Sequence, residues 1–136
     1  MKSRVLILCT ANSARSQMAE GLLRHDRGEE FDVESAGTRA THVRPEAIAV
    51  LKELDIDISG HRSKVVDDFK DQSFDYVLTV CDNARESCPI FPGHGKRLHH
   101  AFDDPAAVTG SVEARLAAFR HVRDEIRAFL RSFLSL

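Results

Sequence analysis

The sequence predicts an α/β fold, a single three-layer domain in which a four-stranded parallel sheet carries helices on both faces. Three observations predict it. Strand-like and helix-like segments alternate from end to end of the chain, the pattern left by successive βαβ units. Two strand-like runs, Val5-Leu6-Ile7-Leu8 and Tyr76-Val77-Leu78-Thr79-Val80, are almost continuously apolar, as central parallel strands buried on both faces must be. The length of 136 residues, 43% hydrophobic and 29% charged, suits one domain spanning 1–136. A chain of that size buries roughly two thirds of the surface its unfolded form exposes.

In chain order, the first strand covers residues 4–9 and ends on Cys9. A helix over 13–27 follows, with Met18, Leu22 and Leu23 on one face and Gly28 as its stop. The second strand covers 31–35. Pro45, whose fixed φ and missing N–H suit a first helical turn, opens a second helix in which Ile48, Leu51 and Leu54 recur at helical spacing. The third strand covers 75–81 and ends on Cys81, and a weaker fourth covers 97–101. The last helix, 111–134, is the longest. Its Val112, Leu116, Phe119, Val122, Ile126, Phe129, Leu130 and Phe133 follow at three- and four-residue steps, the stripe of a core-packing helix. The first and third strands are expected to be neighbours. Ligands of open parallel sheets gather at the carboxyl ends of the strands where the order reverses. Cys9 and Cys81 are therefore expected on one rim, as a chemical pair.

Composition narrows the function. A formal net charge of −2 recruits neither nucleic acid nor an acidic membrane, so any anion site must be built locally. The apolar run behind Met1-Lys2-Ser3-Arg4 is too short for a signal peptide or a membrane span. The chain reads as a cytoplasmic monomer. Three cysteines, an odd number, do not make a structural disulfide framework, and in a reducing compartment such thiols are more often catalytic or redox-active. His61, His94, His99 and His100 reproduce no zinc spacing, so no metal is expected.

The chemistry concentrates in Cys9-Thr10-Ala11-Asn12-Ser13-Ala14-Arg15-Ser16. A buried strand delivers a thiol, a short loop turns back its N–H groups, and a helix points its positive end at whatever the thiol attacks. Such a setting favours the thiolate. Cys9 is the candidate nucleophile. Arg15 is a bidentate fork for two oxygens of a tetrahedral oxyanion, and the N–H groups of Thr10, Ala11, Asn12, Ser13, Ala14 and Arg15 supply further donors. Ser16 is placed to hydrogen-bond the Cys9 sulfur. Asn12 tolerates the left-handed backbone that a tight anion nest needs. Asp103-Asp104-Pro105 offers a carboxylic acid for a departing oxygen, with Pro105 restricting Asp104 to extended backbone, although Asp-Pro alone is ordinary turn chemistry. Cys81 and Cys88 form a third group. Seven residues of continuous helix, at about 1.5 Å each, would separate them by about 10 Å. A disulfide needs Cα atoms about 5.5 Å apart, so bonding them demands a change of shape. Without Cys9 the two would read as inert thiols.

The run Cys9 to Glu20, then Ser35-Ala36-Gly37, Asp55-Ile56-Asp57-Ile58-Ser59, Cys81 through Cys88-Pro89, Phe102-Asp103-Asp104-Pro105-Ala106 and Val122-Arg123-Asp124-Glu125-Ile126 together resemble the thioredoxin-coupled arsenate reductases. Those enzymes share the fold of low-molecular-weight protein tyrosine phosphatases, and the resemblance covers essentially the whole chain. It implies that Cys9 attacks arsenate held by the loop and Arg15, with phosphate or sulfate as competing oxyanions, while Asp104 protonates the departing oxygen. It implies further that Cys81 attacks Cys9 and releases arsenite, that Cys88 resolves the Cys9–Cys81 disulfide, and that thioredoxin, a protein electron donor, reopens Cys81–Cys88 with no bound cofactor. Ala11 stands where the family usually has glycine, and Ala14 where a cysteine is common. Some relatives bind potassium through residues matching Asn12, Glu20 and Ser35, but Lys64 replaces an aspartate of that site and its ammonium can take the cation's place. Two other readings are open. One is a phosphatase of the same fold, hydrolysing a phosphocysteine; the other is a non-catalytic oxyanion-binding thiol switch.

Overall fold

The computed structural model describes residues 2–82 and 95–133. Its strands are β1 (Ser3–Cys9), β2 (Phe31–Gly37), β3 (Tyr76–Thr79) and β4 (Lys96–His99). All pair in parallel in the order β2-β1-β3-β4. The α/β class and the four-stranded parallel sheet are as expected, and so is the β1–β3 adjacency. The order reverses at β1: the chain steps out to β2, then returns past β1 to β3. That opens the rim of the sheet beyond the carboxyl ends of β1 and β3.

β1 occupies the centre because Val5, Leu6, Ile7 and Leu8 are 2% exposed or less, so both of its faces are covered. β2 begins with one face out, Asp32 exposed between buried Phe31 and Val33, and ends with Ser35, Ala36 and Gly37 all buried beneath the rim. β3 is shorter than the 75–81 expected, yet its flanks still bond to β1, Asp75 N–H to the Arg4 carbonyl and Val80 N–H to the Leu8 carbonyl, each at 2.9 Å. β4 covers 96–99 instead of 97–101. Its chain then leaves the edge, with the His100 and Phe102 N–H groups reaching back to the carbonyls of Thr79 and Val80.

Three α-helices are described, α1 (Arg15–Arg27), α2 (Pro45–Lys52) and α3 (Val112–Arg131). They pack against one another, α1 on α3 and α2 on both. α1 starts two residues later than expected, because residues 12–14 are used by the loop. The Ala14 side chain at its N-cap offers no acceptor to the first-turn N–H groups. α2 buries Ala47, Val50 and Leu51, while Ile48 is half-buried and Leu54 lies beyond the helix end. α3 is capped by the Ser111 hydroxyl, which accepts from Ala114 N–H at 3.1 Å. Its stripe is buried through Phe119, Val122, Ile126 and Leu130, whereas Val112 in the first turn is 57% exposed. None of the described helices is long and apolar enough to cross a membrane.

Candidate active site

Cys9 ends β1 and is almost wholly buried. The loop that follows is shaped by what takes its carbonyls. Thr38 N–H bonds to the Cys9 carbonyl, while Arg39 N–H and the Thr38 hydroxyl both bond to that of Thr10. The hydroxyls of Thr41 and Ser63 bond to the Ala11 carbonyl, and Arg44 N–H bonds to that of Ser13 at 2.9 Å. With its carbonyls drawn outward, the loop turns its N–H groups inward. The loop borders a cavity of about 140 Å³ lined by Thr10, Ala11, Ser13 and Ala14 together with Cys9, Arg15, Arg39 and Asp104. That is room for a small tetrahedral oxyanion.

Asn12 is the residue of the loop in the left-handed region, at φ 48°. Ala11 is not, so its replacing a glycine costs the backbone nothing there. Gly37 of β2 permits the close approach of loop and sheet: a Cβ on it would fall 2.6 Å from the carbonyl oxygens of Thr10 and Arg39 and 2.7 Å from Asn12 N. Gly37→Ala is therefore expected to push the loop out of shape, lowering stability by about 1 to 3 kcal/mol and weakening oxyanion binding. Thermal melts and calorimetric titration with phosphate check both effects.

The Asn12 side chain is fully buried and uses all four of its hydrogen-bonding positions. Nδ2 donates to Ser16 Oγ at 2.8 Å and Ser35 Oγ at 2.9 Å, while Oδ1 accepts from Gln17 Nε2 and Lys64 N–H at 2.8 Å each. This arrangement sets the direction of the chain of bonds to the thiol. Ser35 donates its proton to Glu20 Oε1 at 2.5 Å and Ser16 accepts from Asn12, which leaves the Ser16 proton for Cys9 Sγ, 2.9 Å away. A hydrogen bond donated to the sulfur favours its anion.

Beneath this chain lies Glu20, 3% exposed, with Lys64 Nζ at 3.3 Å from Oε1 and Arg24 Nη1 at 2.9 Å from Oε2. Burial alone would push the Glu20 carboxyl up; the Ser35 hydrogen bond and the charges of Lys64, His61 and Arg24 outweigh it and hold the group below the usual carboxylate range. Lys64 also pairs with Glu34 at 3.0 Å, so an ammonium bridges the two carboxylates. Burial pushes His61 down from its ordinary value, helped by Arg24 and Lys64 against Glu20 and Glu34. A neutral ring fits its contacts, with Nδ1 at 3.0 Å from Gln17 Oε1 and Nε2 at 3.2 Å from Arg24 Nη1. His61 thereby orients the Gln17 amide that holds Asn12.

Arg15 opens α1 with its guanidinium largely buried, Nη1 donating to the Phe102 carbonyl at 3.1 Å and Nη2 standing 3.8 Å from Asp104 Oδ2. Asp104 accepts from Ala106 N–H at 3.0 Å through Oδ1, capping the short 3₁₀ turn Pro105–Ala107. One carboxylate oxygen is thus pinned while the other faces Arg15. Cys81 follows β3, buried, with Sγ 3.3 Å from the Thr10 hydroxyl of the Cys9 loop. Cys9 is a free thiol. The structure therefore brings Cys9, Thr10 to Ser16, Asp104 and Cys81 to one rim, while Cys88 and His94 lie outside the described residues. Sequence reasoning missed the parts played by Gln17, Thr38, Arg39, Thr41, Arg44, His61 and Ser63. A signal for Gln17 was present: Ser16, Gln17 and Glu20 interrupt a helix whose first two turns are buried on every side.

This arrangement can hold a tetrahedral oxyanion against a nucleophilic thiol, with an acid at the mouth and a second thiol beside the loop. Comparisons with known proteins agree with it. The model of the low molecular weight phosphotyrosine protein phosphatase family matches residues 4–135. The chain is 45% identical to an arsenate reductase of Halalkalibacterium halodurans over 132 residues, 97% of this chain and 95% of that one. Its structure resembles that of an arsenate reductase in the phosphate-binding state, with a TM-score of 0.77 and 29% identity over 97% of this chain and 95% of the other. It also resembles a thioredoxin-dependent arsenate reductase of Corynebacterium glutamicum, with a TM-score of 0.70 and 28% identity, covering 96% of this chain and 61% of that longer one. With the family model spanning nearly its whole length and a thiol, loop and arginine in one anion cradle, the chain belongs to the low molecular weight phosphotyrosine protein phosphatase family.

Proposed function

We propose that this protein reduces arsenate to arsenite through a three-cysteine relay that thioredoxin regenerates. The observation that carries the reading is Cys81, a buried thiol held against Thr10 of the nucleophile's own loop. A phosphatase has no task for it. The relatives' names point the same way, as does the pair Ala106-Ala107 after Pro105, where an aryl substrate would want aromatic flanks.

The Cys9 thiolate attacks arsenic, forming an S–As bond. Arg15 and the loop N–H groups hold the remaining oxygens, and Asp104 gives the proton with which one oxygen leaves as water. The Cys81 thiolate then attacks the Cys9 sulfur. The S–As electron pair stays with arsenic, which passes from the pentavalent to the trivalent state as the two cysteines become a disulfide. Cys88 attacks Cys81 and frees Cys9, and a thioredoxin dithiol reduces the Cys81–Cys88 bond. Each electron comes from a thiol, so the cycle needs no bound cofactor or metal. Such a relay belongs in a reducing, cytoplasmic setting.

The test is NADPH consumption with arsenate, thioredoxin and thioredoxin reductase, wild type against Cys88→Ser. Steady turnover in the wild type and a single arsenite per Cys88→Ser molecule is the expected result. Aryl phosphate hydrolysis without arsenate-dependent NADPH consumption would replace the reductase by a phosphatase. Oxyanion binding with neither activity would leave the thiol switch.

A further inference from the structure

We propose that His99 is a positioning residue for Cys81, acting through the carboxylate of Asp82. The inference rests on the relay reading in assigning Cys81 a reaction, but its geometry is independent of that reading. Thr79 and His99 are register partners at the ends of β3 and β4. Their side chains meet at 2.7 Å, Thr79 Oγ1 to His99 Nδ1, and His99 Nε2 lies 2.9 Å from Asp82 Oδ1.

The roles of the two ring nitrogens follow. Nε2 faces a carboxylate, which only accepts, so Nε2 carries a proton; in the neutral ring Nδ1 is then the acceptor of the Thr79 hydroxyl. Thr79 is 4% exposed and belongs to the sheet, so the imidazole is fixed at its inner end by a rigid element. Its outer end holds Asp82, whose own side chain is 76% exposed.

Asp82 immediately follows Cys81. β3 holds the cysteine from the preceding side and the His99 tie holds it from the following side, while Sγ rests against the Thr10 hydroxyl. A thiol that must reach the Cys9 sulfur along one line benefits from both anchors, because small misplacements of a reacting atom are costly in rate. Asp82 is 76% exposed and His99 23%, and an ion pair at the surface adds little to stability, so its removal should leave the fold intact.

The test measures formation of the Cys9–Cys81 disulfide in a Cys88→Ser background, by mass spectrometry after quenching, with arsenate and separately with diamide as oxidant. His99→Ala is expected to slow both by about tenfold, the cost of a loosened reacting group. Phosphate affinity and aryl phosphate hydrolysis, which do not call on Cys81, should stay within about twofold. Asp82→Ala should reproduce the defect, and His99→Gln, whose amide can donate to Asp82, should recover most of the rate. Equal losses in phosphate affinity and disulfide rate would overturn the proposal in favour of a general structural role. An unchanged disulfide rate would leave His99 an ordinary surface residue. Failure of arsenate alone, with the diamide rates behaving as described, would count against the reductase reading and not against the positioning of Cys81.

Discussion

Arg15→Lys is expected to lower kcat/KM for arsenate by about 10²- to 10³-fold, in the range found when one oxyanion donor is removed. Lysine preserves the charge and loses the fork. The Arg15 guanidinium uses one arm on the Phe102 carbonyl and turns another toward Asp104, so its plane is set before an oxyanion arrives. An ammonium is a point charge on a flexible stem that cannot make two parallel bonds to one anion. The loss should fall on both affinity and rate, since the same oxygens are held before and during attack. Melting should change little, because the one backbone bond at Phe102 is the main contact given up. Steady-state kinetics with the thioredoxin couple, read beside a thermal melt, checks the pair of outcomes. A Lys variant with near-normal kcat/KM would show that the loop N–H groups alone carry the anion.

Asn12→Ala is expected to be the most destabilising single change in the site, by about 3 to 5 kcal/mol. Two separable terms make up that figure. The substitution deletes four hydrogen bonds in a fully buried position and strands the Lys64 N–H and part of the Gln17 amide. It also places alanine at φ 48°, where a side chain with no local hydrogen bond costs about 1 to 2 kcal/mol. Asn12→Gly removes the second term and keeps the first, so it should be less destabilising than alanine by about 1 kcal/mol. Urea denaturation of the three proteins gives both differences. Turnover should fall in both variants, because Ser16 loses the donor that points its own proton at Cys9. Equal stability of Ala and Gly variants would mean that the loop relaxes out of the left-handed conformation once its side chain is gone.

Much of this was legible along the chain, and the reason is locality. The apolar runs of β1 and β3 are contiguous because those strands are buried on both faces, and the stripe of α3 repeats at its own helical period. The Cys9–Arg15 spacing is equally local, a strand end, a turn and a first helical turn. Even the placing of Cys81 on the rim beside the Cys9 loop was within reach, since adjacent parallel strands must release their chains at the same rim. Strand ends were less legible. β3 and β4 each stop where the partner chain departs, a property of two segments at once.

By itself, then, the sequence determined the α/β parallel architecture and the oxyanion-and-thiol character of the rim, because period and turn chemistry are written in neighbouring residues. Only the tertiary structure decided how the loop is held open. Its carbonyls are taken by Thr38, Arg39, Thr41, Arg44 and Ser63, and the Cys9 thiol is tied through Ser16, Asn12 and Ser35 to Glu20 and Lys64. These bonds join positions up to some fifty residues apart, and which of several polar side chains meets a given carbonyl depends on how α1, β2 and the segment after β2 converge. No local pattern encodes that convergence, because a hydrogen bond is decided within tenths of an ångström and a periodicity only chooses a face.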